Sequence, residues 1–259
     1  MLSIINISGY RFIRLENGFL SELQTTFKKE TQRLRLKGSI LLSREGINLF
    51  LAGEREAIID FQALLNRFLC FQNLDFKESL SDFQPFKKMF VKIKKEIIPF
   101  GIDIIHPETH TAPAIEPEIL KKWFKERHNL VLLDTRNTFE VKLGSFENAI
   151  HLDLKHFRDF PKSVQKINES IKKSPIVTFC TGGIRCEKAS EFLLQTGFRE
   201  VYQLKGGILN YFKKCGGNHY KGLCFVFDER KALTPSLVVA VNAISARNNS
   251  IDNDPFFPK

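Results

Sequence analysis

The stretch "SPIVTFCTGGIRCEKASEFLLQTGF" (174–198) sets Cys180 where an apolar run ends and a helical pattern begins. Four residues, Thr181, Gly182, Gly183 and Ile184, separate it from Arg185, and a second thiol, Cys186, follows at once. So short a loop turns its backbone N–H groups inward as an anion-binding nest. Gly182 and Gly183 permit the φ values of such a turn, and the start of the next helix adds positive potential. Each feature favours thiolate over thiol, and the thiolate is the nucleophile. Arg185 is then a fixed positive charge beside the sulfur, or a strut for the loop. A buried structural cysteine in a glycine turn is the bland alternative. The loop is not a Walker A phosphate loop, since no Gly-Lys-Ser/Thr follows.

The elements that must position this loop follow from periodicity. "NLVLLDTR" and "PIVTFC" are short continuous apolar runs, as in strands buried on both faces. Helical patterns over 116–127 and 186–196 accompany them, and "EVYQLKGG" adds a further strand. Strands alternating with helices predict a parallel α/β domain over 114–225, whose sites form outside the carboxyl ends of strands, where Cys180 falls. Asp134 and Arg136 close the "LLDTR" strand and read as a buried pair bracing the loop; His151 and His156 read as surface residues.

The first 98 residues follow another pattern: a strand over 4–13, a helix over 18–36, and two strands around Arg44-Glu45-Gly46. A helix over 54–70 and a final strand over 83–98 complete it. This βαββαβ order predicts a ferredoxin-like domain, with one sheet face under its helices and the other available. Residues 99–113, in the four-proline stretch "PFGIDIIHPETHTAPAIEPE", read as a linker with His106 and His110 solvated. Residues 226–259 read as a C-terminal extension ending in a flexible tail, "ARNNSIDNDPFFPK".

The formal net charge of +10 over 259 residues favours an anionic partner, nucleic acid before a membrane surface. Five cysteines, an odd count without regular spacing, argue against a disulfide framework. The N-terminus lacks the features of a signal peptide, and no apolar run approaches the ~20 residues of a membrane helix. The cytoplasm is the expected compartment, with no membrane association and no obligate protein partner evident. No flavin, haem or metal-ligand spacing is present, so no metal site is expected.

The loop is similar to that of protein-tyrosine phosphatases, which have five residues between cysteine and arginine; here the residue at that next position is Cys186. The shorter ring resembles that of rhodanese sulfurtransferases, in which the cysteine carries a persulfide. "LLDTRNTFEVKLGSFENAIHLDL" and "VYQLKGGILNY" extend that likeness. Within the superfamily, "SREGINLFLAGE", "FKKMFVKIKKEIIPFG", "CTGGIRCEKAS" and "FVFDER", in that order, resemble the bacterial tRNA uridine 5-hydroxylase family.

The resemblance covers about residues 1–230. It implies an N-terminal domain fused to a rhodanese-like domain, tRNA as substrate, and formation of 5-hydroxyuridine at the wobble position with molecular oxygen as co-substrate. The electron donor is not identified by the sequence. By position, Cys180 is the family's active-site cysteine, Arg185 closes its loop, and Cys186 is the motif's second cysteine, a resolving thiol or a structural helix start. Many relatives continue past "FDER" with a cysteine-rich stretch that "KALTPSLVVAVNAISARNNS" lacks; Cys215 and Cys224 are candidates for a remnant.

In "KKMFVKIKK", alternation places Met89, Val91 and Ile93 on a core side and Lys88, Phe90, Lys92 and Lys94 on the other. The second set is a basic stripe with one aromatic, suited to phosphate contact and base stacking, or simply a solvated face. Arg33, Arg35 and Lys37 lie nearby in sequence. Arg44, at the turn of "SREGIN", belongs either to an RNA-facing loop or to a plain hairpin. Three functions remain: uridine hydroxylation, with Cys180 adding to uracil C6 or acting as a persulfide; persulfide sulfur transfer to another acceptor; and RNA binding without catalysis.

Overall fold

A computed structural model of the chain describes residues 4–240. The proposed tail "ARNNSIDNDPFFPK" lies outside the described residues. The chain divides into two compact units. One runs to Pro99 and includes His106–His110; the other holds Phe100–Ile105 and continues from Thr111.

The first unit is a five-stranded sheet with two helices: β1 Ile4–Phe12, α1 Asn17–Arg33, β2 Lys37–Ser43, β3 Gly46–Gly53, α2 Arg55–Asn66, β4 Phe76–Ser81 and β5 Met89–Ile93. Its strand order is β4-β1-β3-β2-β5. The first four strands form the antiparallel ferredoxin-like arrangement; β5 is an addition, parallel to β2. The stretch 83–98, expected as the fourth strand, is therefore the fifth, and only Met89–Ile93 of it is strand. The true fourth strand, "FKESLS", has weak apolar alternation because it is an edge strand whose outward groups meet water.

One sheet face packs against the helices through Ile5, Ile7, Ile40, Leu42, Ile47, Leu49 and Leu51. Phenylalanine supplies much of the packing beneath: the Phe27 ring lies 5.6 Å from Phe61, 5.9 Å from Phe68 and 6.3 Å from Phe71. Val91 joins this core and Met89 is half-buried, but Ile93, expected there too, is 39% exposed at the end of its edge strand.

The second unit opens with β6 Ala114–Ile115 and α3 Pro117–Lys125, then β7 Val131–Asp134, α4 Thr138–Val141, β8 Gly144–Phe146, β9 Ile150–His151 and α5 Phe160–Val164. There follow β10 Ile176–Phe179, α6 Ile184–Gln195, β11 Val201–Leu204, α7 Gly207–Cys215, β12 Tyr220–Gly222, β13 Cys224–Phe225 and β14 Ala232–Leu233. Five strands form a parallel sheet in the order β6-β11-β10-β7-β9, as the alternating pattern predicts. The ribbons β8–β12 and β13–β14 stand beside it. Among the described residues, no helix is long and apolar enough to cross a membrane.

Phe27 is fully buried among three other rings, so its truncation leaves a void the helices cannot close. Phe27→Ala is expected to lower the unfolding free energy by about 3–5 kcal/mol, measured by urea denaturation.

Candidate active site

The end of β10 fixes Cys180. Its strand is central, fully buried and bonded to β7 and β11 on either side, so the residue after Phe179 emerges at the carboxyl edge of the sheet. Thr135, just past β7, ties the two strand ends together: its N–H and its hydroxyl both donate to the Phe179 carbonyl at 3.0 Å.

The helix after the loop starts earlier than its apolar periodicity suggests. It begins at Ile184, with Gly183 as its left-handed N-cap at φ 101°, so Arg185 lies in its first turn. Only Gly183 needs a glycine's φ. Gly182 has an ordinary φ, and a Cβ built on it meets nothing within 4 Å, which marks open space at the loop mouth.

Within this turn the Gly183 N–H donates to Cys180 Sγ at 3.1 Å. Burial of the sulfur, only 1% of the residue being exposed, opposes its ionisation. That cost is outweighed by a hydrogen bond from Cys186, by the charge of Arg185, and by the N–H groups of Arg185 and Gly183, which lower the Cys180 pKa to about 5. Cys186 goes the other way: burial and the neighbouring Cys180 thiolate push it well up, against hydrogen bonds with Thr135 and Thr178. The pair shares one negative charge, with Cys180 the anion and Cys186 the proton donor.

Arg185 is itself held. Its Nη1 and Nη2 donate to Glu140 Oε2 and Oε1 at 2.5 and 2.7 Å, a buried two-pronged pair. Glu140 Oε2 also accepts from the Asn137 N–H at 3.1 Å, and Oε1 accepts from the Thr181 hydroxyl at 3.4 Å. One carboxylate thus joins the start of α4 to both ends of the cysteine loop. Glu140 stands in the "RNTFE" stretch, but its sequence position gives no sign of its partner.

Asp134 and Arg136 form a fully buried pair: Arg136 Nη2 donates to Asp134 Oδ2 at 2.7 Å and to the Gly144 carbonyl at 2.7 Å. The Ser145 hydroxyl completes the carboxylate's shell at 2.7 Å. The pair ties the end of β7 to β8 and is closed to solvent. His151 and His156 lie away from the sulfur's hydrogen-bond network, His151 near Asp153 at 3.2 Å. Cys215 and Cys224 are buried in the apolar cluster around Phe146 and Tyr211, and burial raises the pKa of both, Cys224 to about 12. Among the described residues, no group of three or more His, Cys, Asp or Glu is placed to hold a metal ion.

Gly207 is a further contributor that only its double-glycine context hinted at. The N-terminus of α7 backs the loop: the Ile208 N–H donates to the Cys180 carbonyl at 2.9 Å and the Leu209 N–H to the Thr181 carbonyl at 3.1 Å. Gly207 directly precedes these donors at φ 66°, where a Cβ would stand 2.4 Å from the Cys180 carbonyl oxygen.

The basic residues of the first unit gather along β2 and β5. Ser39 pairs with both Phe50 and Phe90, and Leu41 with Lys92, so these side chains share the sheet face away from the helices. Lys92 lies over the Phe90 ring at 4.6 Å, and on the same face Lys77 lies over Tyr10 at 5.3 Å. Lys88 and Arg35 are exposed at one end of β2; Arg44 and Lys94 are exposed at the other. Arg33, at the end of α1, is drawn into a 2.8 Å pair with Glu30.

Comparison with known proteins defines the class. Residues 4–97 match the UPF0176 acylphosphatase like domain and residues 116–214 the rhodanese-like domain. A protein of Cupriavidus taiwanensis named tRNA uridine(34) hydroxylase is 48% identical over 241 residues, covering 91% of this chain and 85% of that one. Another of that name, from Bordetella petrii, is 43% identical and covers 93% of this chain and 96% of its own. The chain belongs to the tRNA uridine(34) hydroxylase family.

Two glycines give opposite expectations. Gly207→Ala meets both a strained φ and a carbonyl oxygen, and is expected to cost at least about 2 kcal/mol of unfolding free energy. Gly182→Ala, with open space and an ordinary φ, is expected to change it by less than about 1 kcal/mol. Urea denaturation of both proteins checks the pair.

Proposed function

We propose that this protein hydroxylates C5 of uridine 34 in tRNA, with Cys180 as the catalytic sulfur. The observation that carries the reading is Cys180 in its loop, its Sγ accepting from the Gly183 N–H at 3.1 Å beside Arg185, within a chain closely related over most of its length to proteins named for that reaction. Uracil C5 does not react with oxygen unaided. A thiolate adding to C6 pushes electron density onto C5 and the O4 carbonyl, making C5 the nucleophile toward an oxygen donor. In the overall reaction one atom of molecular oxygen replaces the C5 hydrogen as hydroxyl. The other leaves as water, with two electrons and two protons drawn from a reductant outside the chain. Loss of the C5 proton to solvent, with expulsion of the sulfur from C6, then restores both the C5–C6 double bond and the Cys180 thiolate.

Arg185 and the Gly183 N–H serve this chemistry by keeping the sulfur anionic before attack and by stabilising it again as leaving group. Cys186, held as a thiol, donates the hydrogen bond that helps keep Cys180 anionic. The same geometry would hold a persulfide, which supports sulfur transfer as the competing reading.

The β2–β5 side of the first unit's sheet supports tRNA binding. Lys88, Lys92 and Lys94, with Arg35 and Arg44, suit phosphate contacts, and Phe90 and Tyr10 offer ring faces already flanked by ammonium groups. A tRNA substrate supports a cytoplasmic location.

Nucleoside mass spectrometry of tRNA from cells lacking the protein, complemented with wild type or Cys180→Ser, tests the reading. Wild type is expected to restore 5-hydroxyuridine derivatives and Cys180→Ser to leave less than about a hundredth of them. Restoration by Cys180→Ser would remove the sulfur from the reaction. A change confined to thiolated nucleosides would establish sulfur transfer instead.

A further inference from the structure

The hairpin of β13 and β14 carries one side chain that neither the loop nor the core explains. Phe227 lies in the turn and is 47% exposed, although Phe225, Asp228 and Arg230 are buried, at 0%, 7% and 6% exposure. A tight turn holds it out. The Val226 N–H donates to the Lys231 carbonyl and the Lys231 N–H to the Asp228 carbonyl, both at 2.9 Å. Arg230 grips Asp228 through Nε at 2.8 Å and Nη2 at 2.6 Å. A buried ion pair is a costly way to shape a surface turn, and an exposed phenyl ring gains nothing from water.

What Phe227 gains is position. Its ring lies 5.8 Å from the Arg185 guanidinium carbon and meets Phe225 and Phe139 edge-on, at 5.0 and 6.5 Å. The Phe225 carbonyl accepts from the Thr181 hydroxyl at 3.4 Å, next to Cys180 in the chain. The hairpin is thus bonded to the loop itself, and its exposed ring stands beside Arg185, the residue that closes the loop. Arg185 is pinned by Glu140 and cannot follow an incoming base.

We propose that Phe227 is the stacking platform for the substrate pyrimidine: a uracil turned out of the anticodon loop lies against the exposed face of this ring, and its C6 edge is presented to Cys180. The inference rests on the uridine-hydroxylase reading and adds the residue that holds the base. Stacking on an aromatic side chain is how unpaired bases are commonly held.

Two arms test it. In the first, an anticodon stem-loop with 5-iodouridine at position 34 is irradiated with wild-type protein, and the cross-linked peptide is identified by mass spectrometry. An adduct on Phe227 is expected; adducts found only elsewhere overturn the proposal, whether or not hydroxylation is observed.

In the second, steady-state hydroxylation of tRNA is compared for Phe227→Ala, Phe227→Leu and Phe227→Trp. Ala and Leu are expected to lower kcat/KM by about 10- to 100-fold, the range of one lost base–aromatic stack, with Trp recovering most of the loss relative to Leu. The rate of Cys180 alkylation by iodoacetamide, and its pH profile, are expected to stay as in wild type. Full kcat/KM in Phe227→Leu, or a shifted alkylation profile in all three variants, overturns the proposal, the latter because the ring would then act only through Arg185. Absence of 5-hydroxyuridine with wild type would instead fail the parent reading and leave the cross-link to decide the base site.

Discussion

A buried sulfur anion is the constraint that organises the second unit. Taking a thiolate out of water costs several kcal/mol unless charge and hydrogen bonds replace the lost solvent. At Cys180 the replacements are the Gly183 and Arg185 N–H groups, the Cys186 thiol and the Arg185 guanidinium. None is strong alone, and each depends on backbone that something else must hold still. The arginine in particular is only useful if it is itself neutralised in place, which is the part played by Glu140.

From this one requirement most of the surrounding architecture follows. Three segments distant in sequence converge on six residues of loop: α4 through Glu140, the start of α7 through two N–H donors, and the β13–β14 hairpin through the Phe225 carbonyl. Asp134 and Arg136 sit one layer further out, locking β7 to β8 so that Thr135 can clamp the end of β10. Arg136, Arg185, Asp134 and Glu140 form two buried pairs of cancelling charge around one thiolate. The sulfur is correspondingly deep, only 1% of Cys180 being exposed.

Local pattern carried the sequence reading as far as local physics goes. The continuous apolar runs gave the parallel strands, and the Cys180–Arg185 spacing gave the loop, because strand burial and turn geometry are written in adjacent residues. Long-range pairings were not legible. Glu140 is an unremarkable helix glutamate until Arg185 arrives 45 residues later, and Gly207 reveals its crowding only when α7 meets the loop. The edge strand Phe76–Ser81 has a weak signal because half its side chains face water, and β5 carries the stronger alternation. The start of α6 is not legible because Ile184 and Arg185 carry no capping signature; the helix begins after a glycine in the left-handed region, two residues before its periodicity does.

The account stands on Cys180 being an anion at neutral pH. Its most direct test is the pH titration of thiolate ultraviolet absorbance, taken as the difference between wild type and Cys180→Ser. A midpoint near 5 is expected, with the signal fully developed by neutrality. A midpoint at or above about 8.5, the ordinary value for a free thiol, would contradict it.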